Sequence, residues 1–195
     1  NVPHAENLSY LGAGWNEAQR VYNFALPPLV LHAFLRQDSR WLRAWSSGLS
    51  VPSPRTTFLN FLASHDGIGL NPVRGILPEA EIGLLVREIQ ARGGLVSFKD
   101  GPDGGPVGYE LNLNFLDALT SPSADSTEAA ALDRFVAAHA ILLSLRGVPA
   151  VYFHSLFGSR GWPEGVALTG RNRTINRQKV TGVQIEKELA DPGSS

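Results

Sequence analysis

The stretch Thr56–Gly69, TTFLNFLASHDGIG, decides how this chain is read. Its apolar run, Phe58, Leu59, Phe61, Leu62 and Ala63, predicts a buried strand that stops abruptly at Ser64-His65-Asp66. Gly67 and Gly69 follow at once and release the backbone from the limits that a Cβ imposes. Two polar side chains are thereby set at the carboxyl edge of a sheet, where parallel α/β folds bind ligands. Taken alone, the same residues also describe an ordinary strand end with an Asp capping a turn, so the surrounding chain has to decide.

Upstream, Val21, Tyr22, Phe24 and Leu26 alternate in a short β-like run that stops at Pro27-Pro28. Proline is accepted in a first helical turn, and Leu29 to Leu35 continue at helical spacing, with Trp41, Leu42 and Trp45 extending the apolar face. Residues 1–16 read as a loop. Downstream, Pro78–Arg92 is an amphipathic helix stopped by Gly93-Gly94, and Leu95–Phe98 is a short strand. Lys99–Gly108 reads as a flexible loop, and Tyr109–Leu119 is ambiguous. Ser126–Arg146 is a helix with Leu132, Phe135, Val136, His139, Leu142, Leu143 and Leu145 on one face. Val148–Phe153 (VPAVYF) is a further apolar strand, a loop of turns runs to about Gln178, and Val183–Leu189 begins a last helix.

The order β-α-β, long insertion, α-β, loop, α implies a parallel sheet, either doubly wound or a closed barrel. No GxGxxG or GxxxxGK[ST] follows a strand, which weakens a nucleotide-binding reading. Conspicuous polar residues instead follow the strands, as on the βα-loops of a (β/α)8 barrel. Three such strands make only part of one. The chain has no methionine, so it does not begin at its own start codon, and a piece of a longer protein is expected.

Composition narrows the classes further. With 43% hydrophobic and 18% charged residues the chain is globular rather than disordered. Its 17 basic and 18 acidic residues are mixed along the chain, so nothing marks a nucleic-acid or membrane surface. Without cysteine there are no disulfides or thiolate metal sites. Lys99, Asp100 and Asp103 have no Ca²⁺-loop spacing, and no metal is expected.

FLNFLASHDGIG resembles the fourth conserved region of the α-amylase superfamily, glycoside hydrolase family 13, and GVPAVYFHSLFG resembles its eighth-strand segment. NVPHAENLSYLG, YNFALPPLVLHAF and GRNRTINRQK narrow the resemblance to the sucrose phosphorylase subfamily, nearest its glucosylglycerate phosphorylase-like branch. The resemblance implies an α/β fold, a partial (β/α)8 TIM barrel of about strands 6 to 8, with a long insertion after strand 7. Residues 1–195 would then be one C-terminal part of the catalytic barrel, with 71–125 as the inserted region carrying its own helix.

In this family the nucleophilic Asp follows strand four and the general-acid Glu follows strand five, so both are expected upstream of Asn1. The chain alone is then expected to be inactive. The implied chemistry is retaining transfer of glucose from an α-glucoside to inorganic phosphate, without a cofactor. Asp66 would be the third carboxylate, which stabilises the oxocarbenium-like transition state. His65 and Arg173 would hold the glucosyl unit, the guanidinium offering several donors and a permanent charge. Tyr109 and Glu110 resemble an acceptor-side loop in which the sucrose enzymes carry Tyr-Gln. Asn1 falls where those enzymes place a His near the acceptor. Asn176 and Arg177 are expected to support the loop, His154 to lie near the active face or to be structural, and Trp162 to be the one tryptophan in a catalytic-side loop. A cytoplasmic location is expected, with self-association or pairing with the remaining half-barrel. The competing readings are an α-glucosidase or transglucosylase of the same superfamily, or a non-catalytic carbohydrate-binding remnant.

Overall fold

The computed structural model describes residues 2–101, 103–121, 123 and 127–191. In chain order the helices and strands are α1 (His4–Ser9), β1 (Arg20–Tyr22), α2 (Leu26–Arg36), α3 (Arg40–Ser47), β2 (Thr57–Asn60) and β3 (Ile68–Gly69). Next come α4 (Glu79–Ala91), β4 (Leu95–Asp100), β5 (Pro106–Asn112), α5 (Phe115–Leu119) and α6 (Glu128–Ser144). The last are β6 (Val148–Pro149), α7 (Phe153–Leu156), α8 (Pro163–Thr169) and α9 (Gly182–Ala190), with 3-10 turns at Asn71–Val73 and Asn172–Asn176.

Two sheets result. β1, β2 and β6 lie side by side and parallel, with Val21 opposite Phe58 and Leu59 opposite Val148. Parallel neighbours joined through helices are the expected βαβ arrangement. The second sheet is antiparallel, in the order β3-β5-β4, and is built wholly from the insertion between β2 and β6.

Buried amides tie the parallel sheet together. Asn23 Nδ2 donates to Asn60 Oδ1 at 2.9 Å, and Asn60 Nδ2 donates to the Arg146 carbonyl at 3.1 Å. Both asparagines are fully buried, so each bond replaces one that water would otherwise make. Gly147 next to them has φ +144°, and a Cβ there would lie 2.6 Å from Asn60 Nδ2, so the turn into β6 needs glycine.

The main core centres on α2, which packs against α3, α4, α5 and α6. Leu26, Leu29, Val30 and Leu31 are fully buried, and His32 on the same helix is 2% exposed. His32 is no isolated core histidine: its Nε2 lies 2.8 Å from Glu81 Oε2 on α4. That hydrogen bond is the main cause that holds the Glu81 carboxyl below the usual carboxylate range.

Several expected elements differ. Residues 4–9 form α1 rather than loop, and Asn7 on it donates to the Tyr22 carbonyl at 2.8 Å. His4 Nε2 accepts from the Trp45 indole N–H at 3.1 Å, and burial lowers the His4 pKa, in keeping with a neutral acceptor. The single helix expected over 29–45 is two helices. Gln37 takes the left-handed conformation (φ 52°), Asp38 N–H returns to Ala33 O at 3.1 Å, and the Asp38 carboxylate receives Arg40 N–H at 2.9 Å. The long strand at 58–63 stops at Asn60, and half of the flexible loop at 99–108 is taken up by the ends of β4 and β5.

On α6 the buried stripe is Ala131, Phe135, Ala138 and Leu142, whereas Val136 and Leu143 are exposed. VPAVYF yields only the two-residue β6, with Val148, Val151 and Phe153 exposed. Among the described residues β6 pairs with β2 alone, so its other edge is open.

Candidate active site

Beyond the carboxyl ends of β1, β2 and β6 the structure has a cavity of about 260 Å³. Phe24 and Phe61, in edge-to-face contact at 5.6 Å, form its aromatic wall. Asp66, Glu110, Tyr152, Arg173 and Asn176 supply polar groups on the other sides.

Asp66 follows β2 by six residues, and its backbone N–H donates to Ser64 Oγ at 3.1 Å, which closes a small turn. Its carboxylate receives two arginines: Arg173 Nη1 at 3.1 Å and Arg177 Nη2 at 2.7 Å, both on Oδ1. Two further bonds fix its backbone, from Asn176 Nδ2 to the Asp66 carbonyl at 3.1 Å and from Arg177 Nε to the His65 carbonyl at 2.8 Å. Arg177 and Asn176 therefore do more than support their loop; they position Asp66. His65 is two-thirds exposed, with Nε2 3.7 Å from Asp66 Oδ1.

The Tyr109-Glu110 pair does not lie in a loop. Both belong to β5, and Glu110 is 2% exposed. Its carboxylate takes a bidentate pair of bonds from Arg173, Nε at 2.9 Å and Nη2 at 2.8 Å. Pairing of β5 with its neighbour β4 and with the more distant β3 makes Glu110 a strand residue, buried and turned toward Arg173. Arg173 thus bridges two carboxylates, and the Glu110 hydrogen bonds raise its already high pKa.

Glycine is required where the two strands meet. A Cβ on Gly67 would lie 2.5 Å from the Leu111 carbonyl, 2.6 Å from Glu110 Cγ and 2.8 Å from Asn112 Oδ1. Only a residue without a side chain brings the Asp66 turn this close to β5. Tyr152, just before α7, donates from its hydroxyl to the Asn176 carbonyl at 2.6 Å, and burial raises its pKa, so it stays a neutral donor.

Other expected positions lie elsewhere. His154 is buried, with Nε2 2.8 Å from the Gln178 carbonyl, and is absent from the cavity wall. The Trp162 ring lies against Gly165 of α8 and is likewise absent from that wall. Asn1 lies outside the described residues. Among the described residues no three His, Asp or Glu side chains come together as metal ligands, and no helix is long and apolar enough to cross a membrane. Nothing in the sequence marks Arg177 over Arg173; the signal for both is the i, i+4 pair on one tight turn.

A parallel β1-β2-β6 sheet with a carboxylate–arginine cluster at its carboxyl edge defines the class: part of a (β/α)8 barrel with the site on its βα-loops. No protein-family model matches the chain. It is 54% identical over 194 residues to a glucosylglycerate phosphorylase of Allomeiothermus silvanus, covering 100% of this chain and 35% of that one. It is 52% identical over 191 residues to a glucosylglycerate phosphorylase of Escherichia coli (98% and 34% covered). Against a sucrose phosphorylase of Agrobacterium vitis the identity is 32% over 186 residues (91% and 35%).

The sucrose 6F-phosphate phosphorylase structure from Thermoanaerobacter thermosaccharolyticum superposes with a TM-score of 0.74 at 23% identity, over 89% of this chain and 33% of that one, and so shares its fold. These homologues are all of the sucrose phosphorylase subfamily of the α-amylase superfamily. The chain spans about a third of the length of these relatives.

Proposed function

We propose that this chain forms one wall of the active site of a retaining α-glucosyl phosphorylase. The observation that carries the reading is the Asp66 carboxylate, held by Arg173 and Arg177 at the rim of the 260 Å³ cavity. A carboxylate fixed in place by two guanidiniums needs no reorganisation as positive charge develops on a sugar ring. Arg173 on the cavity wall and the exposed His65, which does not line it, hold hydroxyls of the same glucosyl unit, and the Phe24–Phe61 wall receives its apolar face.

The covalent chemistry is divided between this wall and the rest of the barrel. An Asp nucleophile displaces the leaving group from the anomeric carbon while a Glu protonates the departing oxygen. Inorganic phosphate then attacks the glucosyl-enzyme ester, its proton passing to that Glu, and α-glucose 1-phosphate leaves with retention of configuration. Both residues belong to βα-loops earlier in the barrel, and no cofactor takes part. Glucosylglycerate is the favoured donor, because the relatives of that name stand at 50–54% identity and the sucrose phosphorylase of Agrobacterium vitis at 32%. The setting is cytoplasmic, and the open edge of β6, with Val148 and Val151 exposed, pairs with the remaining strands of the barrel.

The first test is an assay of the chain by itself with phosphate and α-glucosides. The expected result is no turnover above background. Turnover at the rate of a complete enzyme would overturn the assignment of nucleophile and acid to other loops.

A further inference from the structure

The turn that carries Arg173, Asn176 and Arg177 is held from behind by two side chains of the segment after β6. Tyr152 donates its hydroxyl to the Asn176 carbonyl at 2.6 Å, and His154 Nε2 lies 2.8 Å from the Gln178 carbonyl. We infer that His154 is a positioning residue for the Asp66 carboxylate, acting through Arg177.

A carbonyl only accepts, so Nε2 of His154 carries a proton and donates it. The two carbonyls held in this way belong to residues 176 and 178, and Arg177 stands between them. Its own N–H adds a bond to the Thr174 carbonyl at 2.9 Å. From this fixed stretch of backbone the guanidinium reaches Asp66 Oδ1 at 2.7 Å and the His65 carbonyl at 2.8 Å. A line of hydrogen bonds therefore runs from His154 to the carboxylate.

His154 lies outside the site it serves. It is 5% exposed and absent from the cavity wall, and its ring stands edge-on to Tyr152 and Phe153, with centroids 5.5 and 5.4 Å away. Its Nδ1 is buried and has no hydrogen-bond partner among the described residues. An unpaired buried polar atom costs stability. Phenylalanine would fill the same place without that cost, so what histidine adds is the donor. Gln178 is exposed, so its carbonyl, once released, is taken up by water and the fold survives. What is lost is the placement of Arg177 and, with it, of Asp66.

The inference rests on the reading of Asp66 as the carboxylate that stabilises the transition state. It is tested in a complete barrel, with this chain in place of the matching third of the Escherichia coli relative. H154F, D66N and the double variant form a cycle, and H154Q is the conservative control. H154F should lower kcat by about tenfold or more with KM little changed, since a small misplacement of a fixed group is enough to slow the reaction. In the D66N background the same substitution should change kcat by less than about twofold, because two residues acting as one unit are not additive. H154Q should recover most of the loss, its amide N–H standing in for the imidazole donor.

Equal losses from H154F with and without D66N would overturn the inference, and so would a kcat that H154F leaves untouched. Failure of H154F to fold would overturn it as well, since the bond would then hold the fold and not the turn. Full loss in H154Q would show that the ring and not the donor matters, against the inference. D66N without effect on kcat would overturn the functional reading itself, so the two failures are distinguishable.

Discussion

Grafted in place of the matching third of the Escherichia coli glucosylglycerate phosphorylase, this chain with Asp66→Asn should lose about 10²–10³-fold in kcat, the scale of removing one preorganised electrostatic contact. Asn keeps the shape of Asp but removes its charge. Arg173 and Arg177 then face a neutral amide across bonds of 3.1 and 2.7 Å. The loss should appear equally in kcat and kcat/KM, because the carboxylate acts on charge that exists only near the transition state. A raised KM with unchanged kcat would show that Asp66 merely binds substrate. Steady-state kinetics in both substrates separates the two.

The second large effect is structural. Gly67→Ala should destabilise the chain by about 1–3 kcal/mol, the usual range for overpacking a close contact. The new Cβ would meet the Leu111 carbonyl at 2.5 Å, a backbone atom that no side-chain rotation can move. Its only escape is to lift the Asp66 turn off β5, which loosens the pairing of Ile68 with Leu111 and of Gly69 with Glu110. At this chain length a loss of that size lowers Tm by about 2–4 °C per kcal/mol. Thermal unfolding followed by circular dichroism reads it directly. An unchanged Tm would mean that the turn does not sit against β5 as described.

Much of the scaffold was legible in residue patterns because its signals are local. α4 has Glu79 and Glu81 in its first turn and the glycines 93 and 94 beyond its end, and Thr127 caps α6 by accepting Ala130 N–H at 3.1 Å. The His65-Asp66 turn could be placed because an apolar strand and two glycines flank it. The parts that escaped depend on partners distant in sequence. Glu110 sits in a stretch rich in Asn whose pattern is ambiguous, and becomes a buried strand residue only through β3, β4 and Arg173.

The residues expected on one apolar face of α6 and in the apolar strand at β6 are not all covered: Val136, Leu143, Val148 and Val151 are exposed. Periodicity reports that a face is apolar and not what covers it. The split between α2 and α3 escaped for another reason: Gln37 carries a left-handed turn that is usually marked by Gly or Asn.

The most direct measurement is phosphate-dependent formation of α-glucose 1-phosphate by the same graft, with the 195 residues of this chain replacing their counterparts. The expected result is turnover of glucosylglycerate that requires inorganic phosphate and is lost with Asp66→Asn. Release of free glucose at the same rate without phosphate, or turnover indifferent to Asp66, would contradict it.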